Sequence, residues 1–212
     1  MLPTRACIIK SRSAYRKRLM TVMVLSAAMV LPVSAALKKG ETAPVFTTKA
    51  SLAGKEFQFS LKDALKKGPV VVYFYPSAYT GGCNIEAHTF SINKEKFDAA
   101  GASIIGVSRD SIQRLNQFSA DPEYCAGKFA VASDPDGKIA DSYNLNKMAL
   151  PAGFKDTKGV VVDHDFTERT TFVVTPDMKI VATLSSADDK INPAQHVEQS
   201  LAVVQQLAKA KH

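Results

Sequence analysis

Tryptophan is absent from this sequence of 212 residues, and cysteine and histidine are scarce, with three and four residues. Three cysteines are too few for a scaffold held together by disulfide bonds. The histidines show no spacing typical of metal ligands, so we expect neither a metal site nor another cofactor. They are His88, His164, His196 and His212. Length and composition indicate one packed domain with an extension.

The longest apolar run, residues 19–33, contains about 15 residues and is short of the roughly 20 that span a bilayer. Basic residues precede the run and small residues follow it, which is typical of a secretory signal peptide. We expect cleavage before Ala36, with a signal peptide at 1–35 and a mature domain at 36–212. The protein would then be exported, to the periplasm. An uncleaved membrane anchor is the alternative.

The formal charge of +7 suggests a partner such as nucleic acid. However, six of the 27 Lys and Arg residues lie in the predicted signal peptide, together with Cys7, and none of the 20 Asp and Glu residues does. The mature domain therefore has 21 basic against 20 acidic residues, a net charge of about +1. We expect no nucleic-acid binding and, after cleavage, no membrane association.

Apolar patterns in the mature domain alternate between strands and helices, which predicts an α/β fold with one core. The first part, residues 38–59, indicates a small hairpin pinned by Phe46, Phe57 and Phe59. Strands are predicted at 70–75, 103–108, 129–133, 170–175 and 179–184. Helices are predicted at 61–67, 85–99, 110–118, 138–143 and 193–209. Residues 144–168 are rich in loops.

The stretch YPSAYTGGC, residues 75–83, places a cysteine between a buried strand and a helix. With Thr80 as the helix N-cap, Cys83 is the third helical residue, and the Thr80 hydroxyl faces its backbone N–H and approaches its sulfur. The helix dipole and the free N–H groups of the first turn stabilise a thiolate, so we expect a lowered thiol pKa. A cysteine that only packs is the alternative.

The segment YFYPSAYTGGC resembles the P-x-x-x-T-x-x-C motif of peroxiredoxins, with Pro76, Thr80 and Cys83 at the matching positions. The resemblance continues, in the same order, through IIGVSRDS, SDPDGKIADSY and ERTTFVVTPDMKI, and it is closest to the bacterioferritin-comigratory, or Q-type, subgroup. It implies a thioredoxin-like fold, a central mixed sheet flanked by helices, with the N-terminal hairpin of that family.

The resemblance also implies the chemistry. Cys83 would attack a hydroperoxide and become a sulfenic acid, without a cofactor. Arg169 matches the arginine that faces the reactive sulfur in the family. Its alternative role is an ion pair with Glu168 or another surface acid. The implied partners are a hydroperoxide substrate and a thiol reductant, either a thioredoxin-like protein or a small thiol. The implied assembly is a monomer or a homodimer.

The sequence departs from the subgroup where many members carry a second cysteine five residues after the first. His88 stands there, and we expect it to be a packing or surface residue. Cys125, the other cysteine of the mature domain, is our prediction for the resolving residue, after partial unwinding of the Cys83 helix. A one-cysteine mechanism and an external thiol are the alternatives. Glu86 either lines the site or is a solvated acid.

Three other functions compete with the peroxidase. A thioredoxin-type thiol–disulfide oxidoreductase needs C-x-x-C, which is absent here. A copper carrier on the same fold needs two cysteines in one short loop plus a histidine, and only Cys83 is present. A holdase-like binding protein depends on oligomer surfaces that the sequence does not reveal.

Overall fold

The computed structural model describes residues 35–210. The predicted signal peptide up to residue 34, including Cys7, lies outside the described residues, as does His212. The signal peptide and its cleavage site therefore stay predictions. Ala36 packs into the core of the domain, and only 4% of it is exposed.

Nine strands and six helices form the described part of the chain. The strands are β1 (Thr47–Leu52), β2 (Lys55–Ser60), β3 (Val70–Phe74), β4 (Ser103–Ser108), β5 (Ala130–Ser133), β6 (Lys147–Met148), β7 (Phe166–Thr167), β8 (Thr170–Val174) and β9 (Ile180–Ser185). The helices are α1 (Leu61–Leu65), α2 (Gly81–Ala99), α3 (Ile112–Ala120), α4 (Lys138–Ser142), α5 (Ser186–Asp189) and α6 (Pro193–Lys209). The predicted α/β fold with a mixed central sheet is confirmed.

Seven strands form the central sheet in the order β2-β1-β5-β4-β3-β8-β9. Strands β3, β4 and β5 run parallel, and β8 pairs antiparallel with β3. The hairpin of β1 and β2 joins the sheet through β5, which confirms the predicted N-terminal hairpin. Because the carboxyl ends of parallel strands meet at one edge of a sheet, ligands and catalytic groups gather there. The residues that follow β3 and β4 lie at this edge.

Strand β3 divides its side chains between two apolar cores, one on each face of the sheet. Val71 and Tyr73 point into the core beneath α2, α3 and α6, whereas Val72 and Phe74 point into the core beneath α1 and α4. This alternation is the period of two expected of a strand. Burial on both faces explains the continuous apolar run at residues 70–75. The sheet therefore holds the end of β3 rigidly.

Several details differ from the sequence prediction. The loop-rich segment 144–168 contains the two-stranded sheet of β6 and β7, and the short helix α5 follows β9. Elements this short leave no periodic pattern to detect. Phe57 does not pin the hairpin, because 40% of it is exposed; Phe46 and Phe59 pack together, with ring centroids 5.8 Å apart.

The C-terminal helix α6 has the predicted limits. Asn192 caps it in a reciprocal capping box with Gln195, and Pro193 is its first residue. Val197 and Val204 of its apolar stripe are buried. Between residues 35 and 210, no helix is both long and apolar enough to cross a membrane.

Gly106 of β4 has a packing role that stability measurements can test. A Cβ atom at this position would lie 2.5 Å from Cζ and 2.6 Å from Oη of Tyr73, whereas a Cβ at Gly81 would meet nothing within 4 Å. We expect Gly106→Ala to lower the free energy of unfolding by about 1–3 kcal/mol, the usual cost of overpacking. Gly81→Ala, the control, should change it by less than about 0.5 kcal/mol. Equal denaturation midpoints for the two variants would contradict this prediction.

Candidate active site

Cys83 lies where the sequence predicts, in the first turn of α2, just beyond the carboxyl end of β3. Thr80 is the N-cap residue with extended backbone angles, so Gly81 and Gly82 precede Cys83 in the helix. Gly82 leaves space for two neighbours, because a Cβ there would lie 3.1 Å from Arg169 Nη2 and 3.3 Å from Pro193 Cγ. A residue with a side chain at position 82 would push the arginine away from the sulfur.

Arg169 contacts the Cys83 sulfur, as the resemblance implies. Its Nη2 lies 3.2 Å from Sγ, and its Nη1 donates to Glu86 Oε2. Only 10% of the Arg169 side chain is exposed, and the Glu86 side chain is fully buried. The guanidinium therefore joins a thiol and a carboxylate in one buried cluster. Glu86 lines the site, and the alternative of a solvated acid is wrong.

The register of β3 and β8 brings Arg169 to this place. Phe74 pairs with Thr170, so continuing the antiparallel register by one residue sets Arg169 opposite Tyr75. Pro76 follows directly and is partly buried between β3 and the turn. The alternative pairing of Arg169 with Glu168 does not occur: Glu168 accepts from Asn146 Nδ2 at 2.7 Å, and Arg169 pairs with Glu86. The end of β3 and the start of β8 are adjacent, so they place the turn before Cys83 and the Arg169 guanidinium next to each other.

Burial is the largest influence on the Cys83 thiol, and it raises the pKa. Arg169, the Thr80 hydroxyl and the Ser77 backbone lower the pKa and Glu86 raises it, and the net result is a pKa above the usual value. The prediction of a lowered pKa is therefore wrong for this closed site, in which Cys83 is 1% exposed. An argument from the helix dipole alone leaves out desolvation, which favours the neutral thiol.

The predicted role of the Thr80 hydroxyl is also partly wrong. It makes no hydrogen bond to the backbone N–H of Cys83, and it donates instead to Ser77 O at 2.9 Å. The hydroxyl nevertheless lowers the pKa of the Cys83 thiol. Because it has a single proton, it cannot donate to the carbonyl and the sulfur together. Rotation toward the sulfur would favour the thiolate.

Asp110, which the sequence analysis missed as a site residue, fixes the turn before α2. It lies two residues after the end of β4 and is buried, with 5% exposed. Its carboxylate accepts from Ser77 Oγ at 2.9 Å and from the Ala78 backbone N–H at 2.8 Å. His164 Nε2 lies 3.2 Å from the same carboxylate. The signal for Asp110 was the pair of charged residues, Arg109 and Asp110, that follows a buried parallel strand. Glu86 was detectable by its position one turn after Cys83.

Cys125 is a buried free thiol in the same apolar cluster as Cys83. It lies in the turn after α3, and burial raises its pKa well above the usual value, with a further contribution from Asp121. Tyr73 and Tyr75 belong to this cluster too, as buried core residues.

The described histidines have partners in the protein or lie at its surface. His88 is exposed and contacts Glu123 O at 2.9 Å, which confirms a surface role. His196 is buried between Thr171 Oγ1, at 3.0 Å, and Ser186 Oγ, at 2.9 Å. Burial, helped by Arg169, lowers the pKa of His196 to about 4, so this imidazole is neutral at physiological pH. Within residues 35–210, no cluster of His, Cys, Asp and Glu could hold a metal ion.

Comparison with known proteins agrees with this geometry. A sequence model of the AhpC/TSA family matches residues 39–183. Peroxiredoxin Bcp of Xanthomonas campestris pv. campestris is 33% identical over 140 residues, which cover 66% of this chain and 78% of that protein.

Solved structures show the same fold over most of both chains. Peroxidoxin BcpB from Mycobacterium tuberculosis superimposes with a TM-score of 0.65 at 28% identity, covering 80% of this chain and 97% of that one. Peroxiredoxin Q of Xanthomonas campestris gives a TM-score of 0.60 at 28% identity, covering 82% and 98%. The chain therefore belongs to the AhpC/TSA family and is a peroxiredoxin of the bacterioferritin-comigratory, or Q-type, group, an enzyme that reduces peroxides at the expense of thiols.

Proposed function

We propose that this peroxiredoxin reduces hydrogen peroxide and organic hydroperoxides through a sulfenic acid on Cys83, with Cys125 as the resolving cysteine. The observation that carries the proposal is the buried contact of 3.2 Å between Cys83 Sγ and Arg169 Nη2. A bacterioferritin comigratory protein of Xanthomonas campestris, 28% identical and with a TM-score of 0.60, has alkyl peroxide reduction activity. This relative supports organic hydroperoxides as substrates.

The first step is attack by the Cys83 thiolate on the terminal oxygen of the hydroperoxide. The S–O bond forms as the O–O bond breaks, and the leaving hydroxide or alkoxide takes up a proton to become water or alcohol. Arg169 sits beside the sulfur, so its guanidinium can donate to a peroxide oxygen as negative charge moves away from sulfur. The Thr80 hydroxyl is the second candidate donor. Pro76 restricts access to the turn.

The second step is condensation of the sulfenic acid with the Cys125 thiol, which forms a disulfide and releases water. Two features support Cys125: it is a free thiol, and it shares an apolar cluster with Cys83. Both cysteines are buried, and in this proposal the first turns of α2 unwind to bring the sulfurs together. A one-cysteine mechanism and an external resolving thiol are the competing possibilities.

The remaining parts of the proposal concern partners and location. A thioredoxin-like protein or a small thiol would reduce the disulfide, and the enzyme would act as a monomer or a homodimer. The basic and apolar N-terminal pattern supports export to the periplasm with cleavage before Ala36. Packing of Ala36 into the core is compatible with a folded domain that begins directly after the cleavage site.

The intact mass after one equivalent of hydrogen peroxide tests both cysteine roles. The parent protein should lose two hydrogen atoms, and Cys125→Ser should gain one oxygen atom, because its sulfenic acid has no internal partner. Cys83→Ser, the control, should keep its mass. An added oxygen in the parent would assign resolution to an external thiol, and an unchanged parent mass would contradict peroxidase chemistry at Cys83.

Replacement of Arg169 by Gln should slow the first step by about 100-fold at neutral pH, the usual cost of losing one donor to a developing negative charge. The cation lowers the pKa of Cys83, so its removal should also move the midpoint of the pH–rate profile to higher pH. Arg169→Lys keeps the charge and should move the midpoint less. Stopped-flow rates of peroxide consumption between pH 5 and about pH 10 measure both effects. Identical profiles for Arg169→Gln and the parent would contradict the assigned role.

Replacement of Glu86 by Gln should shift the midpoint in the opposite direction. Burial raises the pKa of the Glu86 carboxyl to about 7, against the opposing effect of Arg169. Above that pH the carboxylate is charged and raises the pKa of Cys83, so the variant should reach its thiolate form at lower pH than the parent. The same pH–rate measurement applies. A midpoint at higher pH would mean that Glu86 acts mainly by holding Arg169 against the sulfur.

A further inference from the structure

The loop-rich segment between β6 and β7 contains a small hairpin at residues 154–162, which we call the clasp hairpin. Its backbone closes through Val162 N–H to Phe154 O and Asp156 N–H to Val160 O, each 2.9 Å long. The Asp156 carboxylate also accepts from the Lys158 N–H at 2.8 Å and the Val160 N–H at 3.0 Å. The hairpin is thus internally ordered, with Thr157 near its tip.

Thr157 holds the turn that precedes the Cys83 helix. Its backbone N–H and its hydroxyl both donate to Tyr79 O, at 2.8 Å and 2.7 Å. Its hydroxyl also accepts from Asn84 Nδ2 at 3.2 Å, so one side chain bridges the two sides of Cys83. The clasp hairpin therefore contacts the chain four residues before and one residue after the reactive cysteine.

The backbone of Tyr79 has a strained conformation that these hydrogen bonds help to maintain. Its φ of 60° lies in the left-handed region, which an aromatic residue rarely adopts unless surrounding contacts impose it. The Tyr79 ring is buried against Phe118, with centroids 5.1 Å apart, and the Arg114 guanidinium lies 4.2 Å from its centre. Arg114 in turn forms an ion pair with Asp156 of the clasp hairpin.

The clasp hairpin also reaches the turn that carries Cys125. Lys158 Nζ lies 3.6 Å from Asp121 Oδ2, and it lies 5.6 Å from the ring centre of Tyr124, the residue before Cys125. The same short segment is therefore attached to both cysteine-bearing turns. Neither turn can move far toward the other while these contacts persist.

We propose that the clasp hairpin keeps the reduced site closed and that Thr157 is a positioning residue whose release precedes formation of the Cys83–Cys125 disulfide. This inference rests on the proposed function. After the first oxidation, the sulfenic acid has two fates. It condenses with the Cys125 thiol and releases water, or it reacts with a second hydroperoxide to give sulfinic acid and water or alcohol. A tighter clasp prolongs the life of the sulfenic acid and favours the second fate.

The test compares Thr157→Val, which keeps the shape but removes the hydroxyl, with Thr157→Ser, which restores it. Thr183→Val is the matched control, because Thr183 Oγ1 donates to Leu37 O at 2.8 Å on β9, outside the site. Each protein is mixed with increasing hydrogen peroxide, quenched, and weighed by intact mass spectrometry. The readout is the peroxide concentration at which half of the protein carries sulfinic acid instead of the disulfide.

Thr157→Val should need about fivefold more peroxide than the parent to reach this point, the change expected for loss of one ordinary hydrogen bond. Thr157→Ser and Thr183→Val should match the parent, although both valine variants lose a similar amount of thermal stability. An unchanged or lower value for Thr157→Val would overturn the inference. If the parent itself gains oxygen without forming the disulfide, Cys125 is not the resolving residue. The inference about Thr157 is then also overturned, because it depends on that disulfide. An unreactive parent would instead contradict the proposed function.

Discussion

The guanidinium of Arg169, buried between the Cys83 sulfur and the Glu86 carboxylate, is the interaction on which the site depends. Burying a cation is costly unless partners compensate it, and here one helix supplies both the acid and the thiol from a single turn. Removing either charged group leaves the other uncompensated inside the protein. The cluster therefore couples the position of α2 to the start of β8.

The central sheet and its two cores position the residues of this cluster. Parallel pairing of β3 with β4 and antiparallel pairing with β8 bring the Cys83 turn, Asp110 and Arg169 to one edge of the sheet. The two apolar cores hold that edge from both faces. Behind the arginine, His196 stays neutral because burial lowers its pKa to about 4, so it adds no second positive charge that would need compensation.

Closure of the site has a consequence for reactivity. A fully buried thiol resists ionisation, and here burial outweighs the lowering of the pKa by Arg169. Any movement that admits water to the sulfur lowers the cost of forming the thiolate. The contacts of Thr157 and Asp110 with the turn before α2 therefore affect the chemistry as well as the geometry.

Sequence patterns over a few neighbouring residues were sufficient to predict those elements whose limits depend on local interactions. The apolar run of β3, the capped start of α6 and the N-cap at Thr80 follow from neighbouring residues, so their limits were predictable. The motif of Pro76, Thr80 and Cys83, with the segments that follow it, was sufficient to identify the family and to place Arg169. The short elements β6, β7 and α5 leave too few residues for a period, and they were missed.

The sequence by itself determined the order of the longer strands and helices, the family, and the placement of Arg169 beside the Cys83 sulfur. Only the tertiary structure decided the sign of the pKa shift of Cys83, the pairing of Arg169 with Glu86 in place of Glu168, and the attachment of residues 154–162 to both cysteine-bearing turns. The physical reason is the same in each case. Desolvation and long-range contacts depend on residues that are far apart in the chain, and no local pattern records which of them become neighbours.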